Sequence, residues 1–223
     1  MDTQTFSEQK RLVEAAILLY LDEDEELTAE AVCAMAGVER SVFEAHFDTA
    51  DDVLPAFYDL AIEQYRALRD ATTDYHQFSF EERLATFFYI LLDALAEQRA
   101  FVQQTFNTRI EWRSDFRSAV QDELRIIVAQ DDVPSFNQLV TGSWPAQWVL
   151  AQVTMSVISF WIRDDSPDRE QTTALVDKLV AFVAELVTFR GVQRGVDLLW
   201  YLAQIDPLGL SRLPLIGRLF GGR

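Results

Sequence analysis

The chain has 223 residues, and its 36 carboxylate side chains against 19 lysines and arginines give a formal charge of -17. Hydrophobic residues make up 49%, with only 8 glycines, 6 prolines and one cysteine, which excludes a collagen, a disulfide scaffold and a disordered acidic tail. Few helix breakers, and no evenly spaced Val-rich alternating runs, favour an all-α fold over an all-β design.

From Glu8 onward, Leu12, Ala15, Ala16, Leu19 and Tyr20 recur at the spacing that lines one helix face. An acidic run, Asp22 to Glu26, leads to Thr28, a residue type that caps helix N-termini. The second helix then carries Ala31, Val32, Met35 and Ala36 and stops at Gly37, which tolerates the left-handed backbone a helix end needs. A third, short helix is expected over Arg40 to Phe47, with Val42, Phe43 and Phe47 facing inward. The fourth is expected from Ala50 to about Asp70, burying Val53, Leu54, Phe57, Leu60, Ala61 and Tyr65. Further helical segments are Ser79 to Glu97, Arg99 to Asn107, Ser114 to Val128, Trp144 to Arg163 and Asp168 to Leu186.

Two short helices joined by a glycine turn, after one helix and before a long one, form a helix-turn-helix arrangement. Ala34-Met35-Ala36-Gly37-Val38, followed by Glu39 to Phe47 with its terminal His46-Phe47, resembles the N-terminal domain of the TetR family of transcriptional regulators. The segment from Phe160 to Asp168, followed by the apolar positions Leu175, Val176, Leu179 and Val180, resembles the last two helices of that family's ligand-binding domain. The resemblance extends over residues 8 to about 188. It implies a helix-turn-helix domain over 1–48, a ligand-binding and dimerisation domain over 49–188 with a connecting helix at 49–72, and a tail at 189–223. It further implies a homodimer, operator DNA as a partner and a small hydrophobic or lipid-like ligand.

DNA recognition requires donors on base edges and cations or amides on phosphates. The residues that would meet DNA here are Thr28, Arg40, Ser41, His46 and Thr49. Departing from the family pattern, Glu44 stands where an aromatic residue usually meets phosphate and Ala50 where a lysine usually does, with Asp48, Asp51 and Asp52 close by. Residues 1–60 hold fifteen carboxylates against Lys10, Arg11 and Arg40, a surface that repels polyanions at ordinary salt. Two readings follow: a regulator adapted to a salt-rich cytoplasm, or a TetR-like fold that has lost DNA binding and binds lipid or another hydrophobic ligand.

Phe87, Phe88, Phe101, Phe106, Trp148 and Trp161, with Gln152 as a polar partner, are the candidate ligand-binding residues; plain core packing of the aromatics at helical spacing is the competing reading. Residues 133–162 carry no formal charge, yet polar side chains interrupt them throughout, so a buried or dimer-facing helix is expected rather than a membrane span. Residues 189–223 are apolar and mildly basic and are broken by Pro207 and Pro214. They either meet an anionic membrane surface or fold onto the bundle or a dimer partner.

The segment Met1 to Gln9 lacks the charged-then-apolar pattern of a signal peptide, and a cytoplasmic location is the expectation. No phosphate loop, dinucleotide glycine fingerprint, metal-binding cluster or nucleophile triad is present in the sequence, so no enzyme, cofactor or metal is expected. Cys33, set among Ala31, Val32, Ala34 and Met35, reads as a core residue.

Overall fold

The computed structural model describes residues 3–22, 24–106, 114–129 and 144–188. Within them the chain forms nine α-helices and no strands: α1 (Thr3–Leu21), α2 (Ala29–Ala36), α3 (Arg40–Glu44), α4 (Ala50–Ala71), α5 (Phe80–Ala96), α6 (Arg99–Thr105), α7 (Ser114–Val128), α8 (Trp144–Arg163) and α9 (Glu170–Thr188). The segment at 130–143 and the apolar tail at 189–223 lie outside the described residues.

Local chemistry accounts for most helix ends. Thr28 Oγ1 accepts the Ala31 amide at 3.2 Å and starts α2. Gly37 ends it with φ 63°, and Arg11 of α1 donates to the Ala36 carbonyl at 2.7 Å, satisfying one of the last-turn acceptors. A capping box opens α5, in which Ser79 accepts the Glu82 amide while the Glu82 carboxylate accepts the Ser79 amide. The Ser79 amide, and then the Ser79 hydroxyl donating to the same carboxylate at 2.9 Å, hold the Glu82 carboxyl below its ordinary pKa.

Helices α1, α3 and α9 differ in their bounds from the sequence expectation, the last of them running Glu170–Thr188 rather than Asp168 to Leu186, because Asp168 takes a left-handed backbone before it. The first helix begins at Thr3 rather than Glu8, because its polar opening turn continues the same helix. The third ends at Glu44 rather than Phe47: the Phe43 carbonyl accepts both the His46 and Phe47 amides, closing the chain into a turn that seats Phe47 in the core.

Packing unites the two halves. Helices α1, α2 and α4 bury Leu12, Ala16, Ile17, Val32, Val53 and Leu54, with Phe43 of α3 fully enclosed. The six α4 positions expected to face inward are all buried, and Tyr58 and Ile62 join them. Phe101 of α6 sits edge-on to Tyr20 of α1 and to Phe57 of α4, with ring centres 5.6 Å apart in both pairs. Glu97, between α5 and α6, accepts from Lys10 of α1 at 2.9 Å and Gln64 of α4 at 3.0 Å. Partial burial raises the Glu97 pKa, but the Gln64 and Lys10 contacts outweigh it, and the net shift is downward. Helices α1 and α4 thus rest on α6 through rings and on Glu97 through charge.

Candidate functional site

Arg40 and Ser41 open α3, His46 lies in the turn after it, Thr49 caps α4 and Thr28 caps α2. Each of the five side chains is engaged. Arg40 donates to Glu30 of α2 at 2.5 Å and to Glu44, one turn along α3, at 2.9 Å, while its guanidinium lies 5.5 Å from the centre of the Phe43 ring. The Glu44 bond, and then the two nearby negative charges, push the Arg40 pKa further up, so its charge is permanent. His46 Nε2 lies 3.1 Å from the Glu8 carboxylate. Ser41 donates to Glu39 at 3.4 Å, and Thr49 donates to Asp52 through both its amide and its hydroxyl. Thr28 is occupied as the α2 cap.

In this arrangement the arginine of α3 is tied to carboxylates of its own chain. Arg40, the one arginine at the start of α3, is held on the surface by two glutamates that are themselves 79% and 61% exposed. Exposed ion pairs of this kind are weak and salt-sensitive. The contribution of Glu44 is legible from its i,i+4 spacing to Arg40. That of Glu30 is not, because it reaches Arg40 across the Gly37 turn.

The aromatic candidates separate into different surroundings. Phe101 and Phe106 are fully buried around Tyr58, whose hydroxyl meets Thr105 Oγ1 at 2.8 Å, and Phe116 of α7 closes the group. Burial pushes the Tyr58 pKa far above its usual range, so the hydroxyl remains a neutral hydrogen-bonding group. Phe87 packs edge-on to Tyr65 with ring centres 5.1 Å apart, and Phe88 packs against Phe87. Trp148, expected beside a ligand, is 45% exposed, with the Arg117 guanidinium 5.2 Å from its ring centre. Gln152 is half-buried on α8. Trp161 stands apart from the others: it is buried and lines a cleft of about 210 Å³ between α5 and the α8–α9 turn.

Sequence reasoning missed the charged groups that join these elements. Glu123 of α7 is 2% exposed and accepts from two arginines of α4, Arg66 and Arg69, at 2.6 Å each. Asp164, buried between α8 and α9, accepts from Ser166 and Thr172 through both hydroxyls and both amides. The Ser166 hydroxyl bond and then the Thr172 one hold its carboxyl well below the usual carboxylate range. Among the described residues no cluster of three His, Cys, Asp or Glu side chains could hold a metal, and no helix is long and apolar enough to cross a membrane.

No curated protein matches the chain. Residues 83–202, more than half of its length, match the family described as tetracyclin repressor-like, C-terminal domain, a match that runs from within α5 through α9. The chain therefore belongs to the TetR-like family.

Proposed function

We propose that the chain is a dimeric, cytoplasmic one-component transcriptional regulator that binds operator DNA and responds to a small hydrophobic ligand. The observation that carries this reading is the intact helix-turn-helix, with α2 and α3 joined at Gly37 and Arg40 exposed at the start of α3. Arg40, Ser41 and His46 are its DNA contacts, with Thr28 and Thr49 flanking them, and Arg40 exchanges its two glutamates for phosphate or a base edge on binding.

Transmission runs through α6. A ligand lodged among the aromatic side chains of the C-terminal bundle displaces Phe101, which bears on Tyr20 and Phe57, and so shifts α1 and α4 together. In a dimer this alters the separation of the two α3 helices and spoils their match to half-sites about 34 Å apart. The dimer face is the stripe Leu175, Leu179, Phe182 and Leu186 on α9, spaced by four, three and four residues, of which Phe182 and Leu186 are 59% and 57% exposed.

A second reading is a TetR-fold protein that has given up DNA for a lipid or hydrophobic ligand, with the tail at a membrane surface. The observation favouring it is the pair of glutamates on Arg40. Fluorescence anisotropy of the purified protein on its own upstream DNA, over a salt series, separates the two. The regulator reading expects specific binding that survives competitor DNA and is lost in Arg40→Ala. Absence of binding at every salt concentration, with the fold intact, refutes it and turns the question to liposome flotation with and without residues 205–223.

A further inference from the structure

We propose that the cleft between α5 and the α8–α9 turn is a binding site for a small aromatic carboxylic acid that also carries an amino or hydroxyl donor. The cleft holds about 210 Å³, room for one ring with short substituents. Its apolar surface comes from Leu92 and Ala96 of α5 and the buried indole of Trp161.

The acid-binding group is Arg169. Its guanidinium lines the cleft 5.9 Å from the centre of the Trp161 ring, and among the described residues its buried Nε has no hydrogen-bond partner. Arg99 lies 5.6 Å from the same ring and its Nε is likewise without a partner among the described residues, but its Nη2 donates to the Ile162 and Asp164 carbonyls at 3.1 Å each and it does not line the cleft, so the two cations are not equivalent.

Backbone strain places Arg169 there. Asp168 and Arg169 are consecutive non-glycine residues in the left-handed region, with φ of 46° and 56°, a conformation that costs an arginine steric energy. The turn is pinned on both sides by Asp164, which bonds Ser166 before the strained pair and Thr172 after it. A strained turn that holds an unsatisfied cation over an aromatic floor is the arrangement a carboxylate-bearing ring completes.

The donor requirement comes from the remaining charges. Asp93 and Asp168 also line the cleft, and together they outweigh Arg169, so a plain anion is repelled. A ligand that offers an N–H or O–H to one of these carboxylates turns that repulsion into a hydrogen bond. The site does not depend on DNA binding by the same chain.

Isothermal titration calorimetry of the full chain with 4-aminobenzoate, benzoate and aniline tests the assignment. Saturable binding of one 4-aminobenzoate per chain is expected, with benzoate and aniline weaker by about tenfold or more, as befits loss of a charge-assisted hydrogen bond. Arg169→Met is expected to weaken 4-aminobenzoate by a similar factor. Asp93→Asn, at an exposed position of α5, is expected to narrow the preference for 4-aminobenzoate over benzoate while leaving the melting temperature unchanged. The proposal is overturned by the absence of saturable binding up to about 10 mM, by equal binding of the three probes, or by unaltered binding in both variants. A chain that binds 4-aminobenzoate but no DNA upholds the cleft and removes the regulator reading; the converse removes the cleft alone.

Discussion

Replacing Glu123 tests whether one buried carboxylate joins the connecting helix to the C-terminal bundle. Glu123 projects from α7 onto Arg66 and Arg69, which lie three residues apart on α4, and its side chain is 2% exposed against 33% and 18% for the arginines. Removing one partner of a buried ion pair costs about 3–5 kcal/mol, chiefly because a charge is left buried without compensation. Here the arginines retain other carboxylates, Glu63 for Arg66 and Asp70 for Arg69, and both reach solvent, so Glu123→Gln should cost about 2–3 kcal/mol, below that range. For a chain of this length each kcal/mol lowers the melting temperature by about 2–4 °C, giving a loss of about 5–10 °C. The assay is thermal unfolding by circular dichroism at fixed protein concentration, since any self-association also shifts the transition. The companion variant Glu123→Leu/Arg66→Met/Arg69→Met removes all three charges and should recover most of the loss. A melting temperature for Glu123→Gln within about 1 °C of the parent, or a triple variant no more stable than the single one, would refute the reasoning.

Three further outcomes are expected. Phe182→Glu places a charge in the exposed stripe of α9 and should convert the proposed dimer to monomer, read as a halved mass by light scattering; an unchanged mass would refute this stripe as the dimer face. Glu30→Gln/Glu44→Gln frees Arg40 and should strengthen DNA binding at low salt, steepening the slope of log affinity against log salt by about 2 per dimer if each Arg40 gains one phosphate; an unchanged slope would mean that Arg40 does not meet phosphate. The Asp164 carboxyl has its pKa lowered in the folded state by Ser166 and Thr172, so the stability it contributes is present above the unfolded carboxylate range near pH ~4 and drains away as pH falls below it. Asp164→Asn should accordingly lower the melting temperature at neutral pH and flatten its fall in acid, and a parallel acid limb in the variant would exclude that role.

The sequence by itself determined the helices and the lineage. Apolar spacing marked the inward faces of α1 and α4, Thr28 and Gly37 bounded α2, and the glycine turn between two short helices identified the helix-turn-helix, because caps and periodicity are set by neighbours a few residues apart. The aromatic segments at Phe87–Phe88 and Phe101–Phe106 were equally visible, but their partners were not: Tyr58, Tyr65 and Phe116 come from helices far along the chain. Only the tertiary structure decided which charges meet. It brought Glu30 across the turn to Arg40, Glu123 to Arg66 and Arg69 over more than fifty residues, and Arg99 and Arg169 to the same indole. Such pairings depend on how α4, α7 and the α8–α9 turn pack. No local signal anticipates an arginine in the left-handed region, since that conformation is disfavoured for its side chain and is retained only where the surrounding contacts impose it.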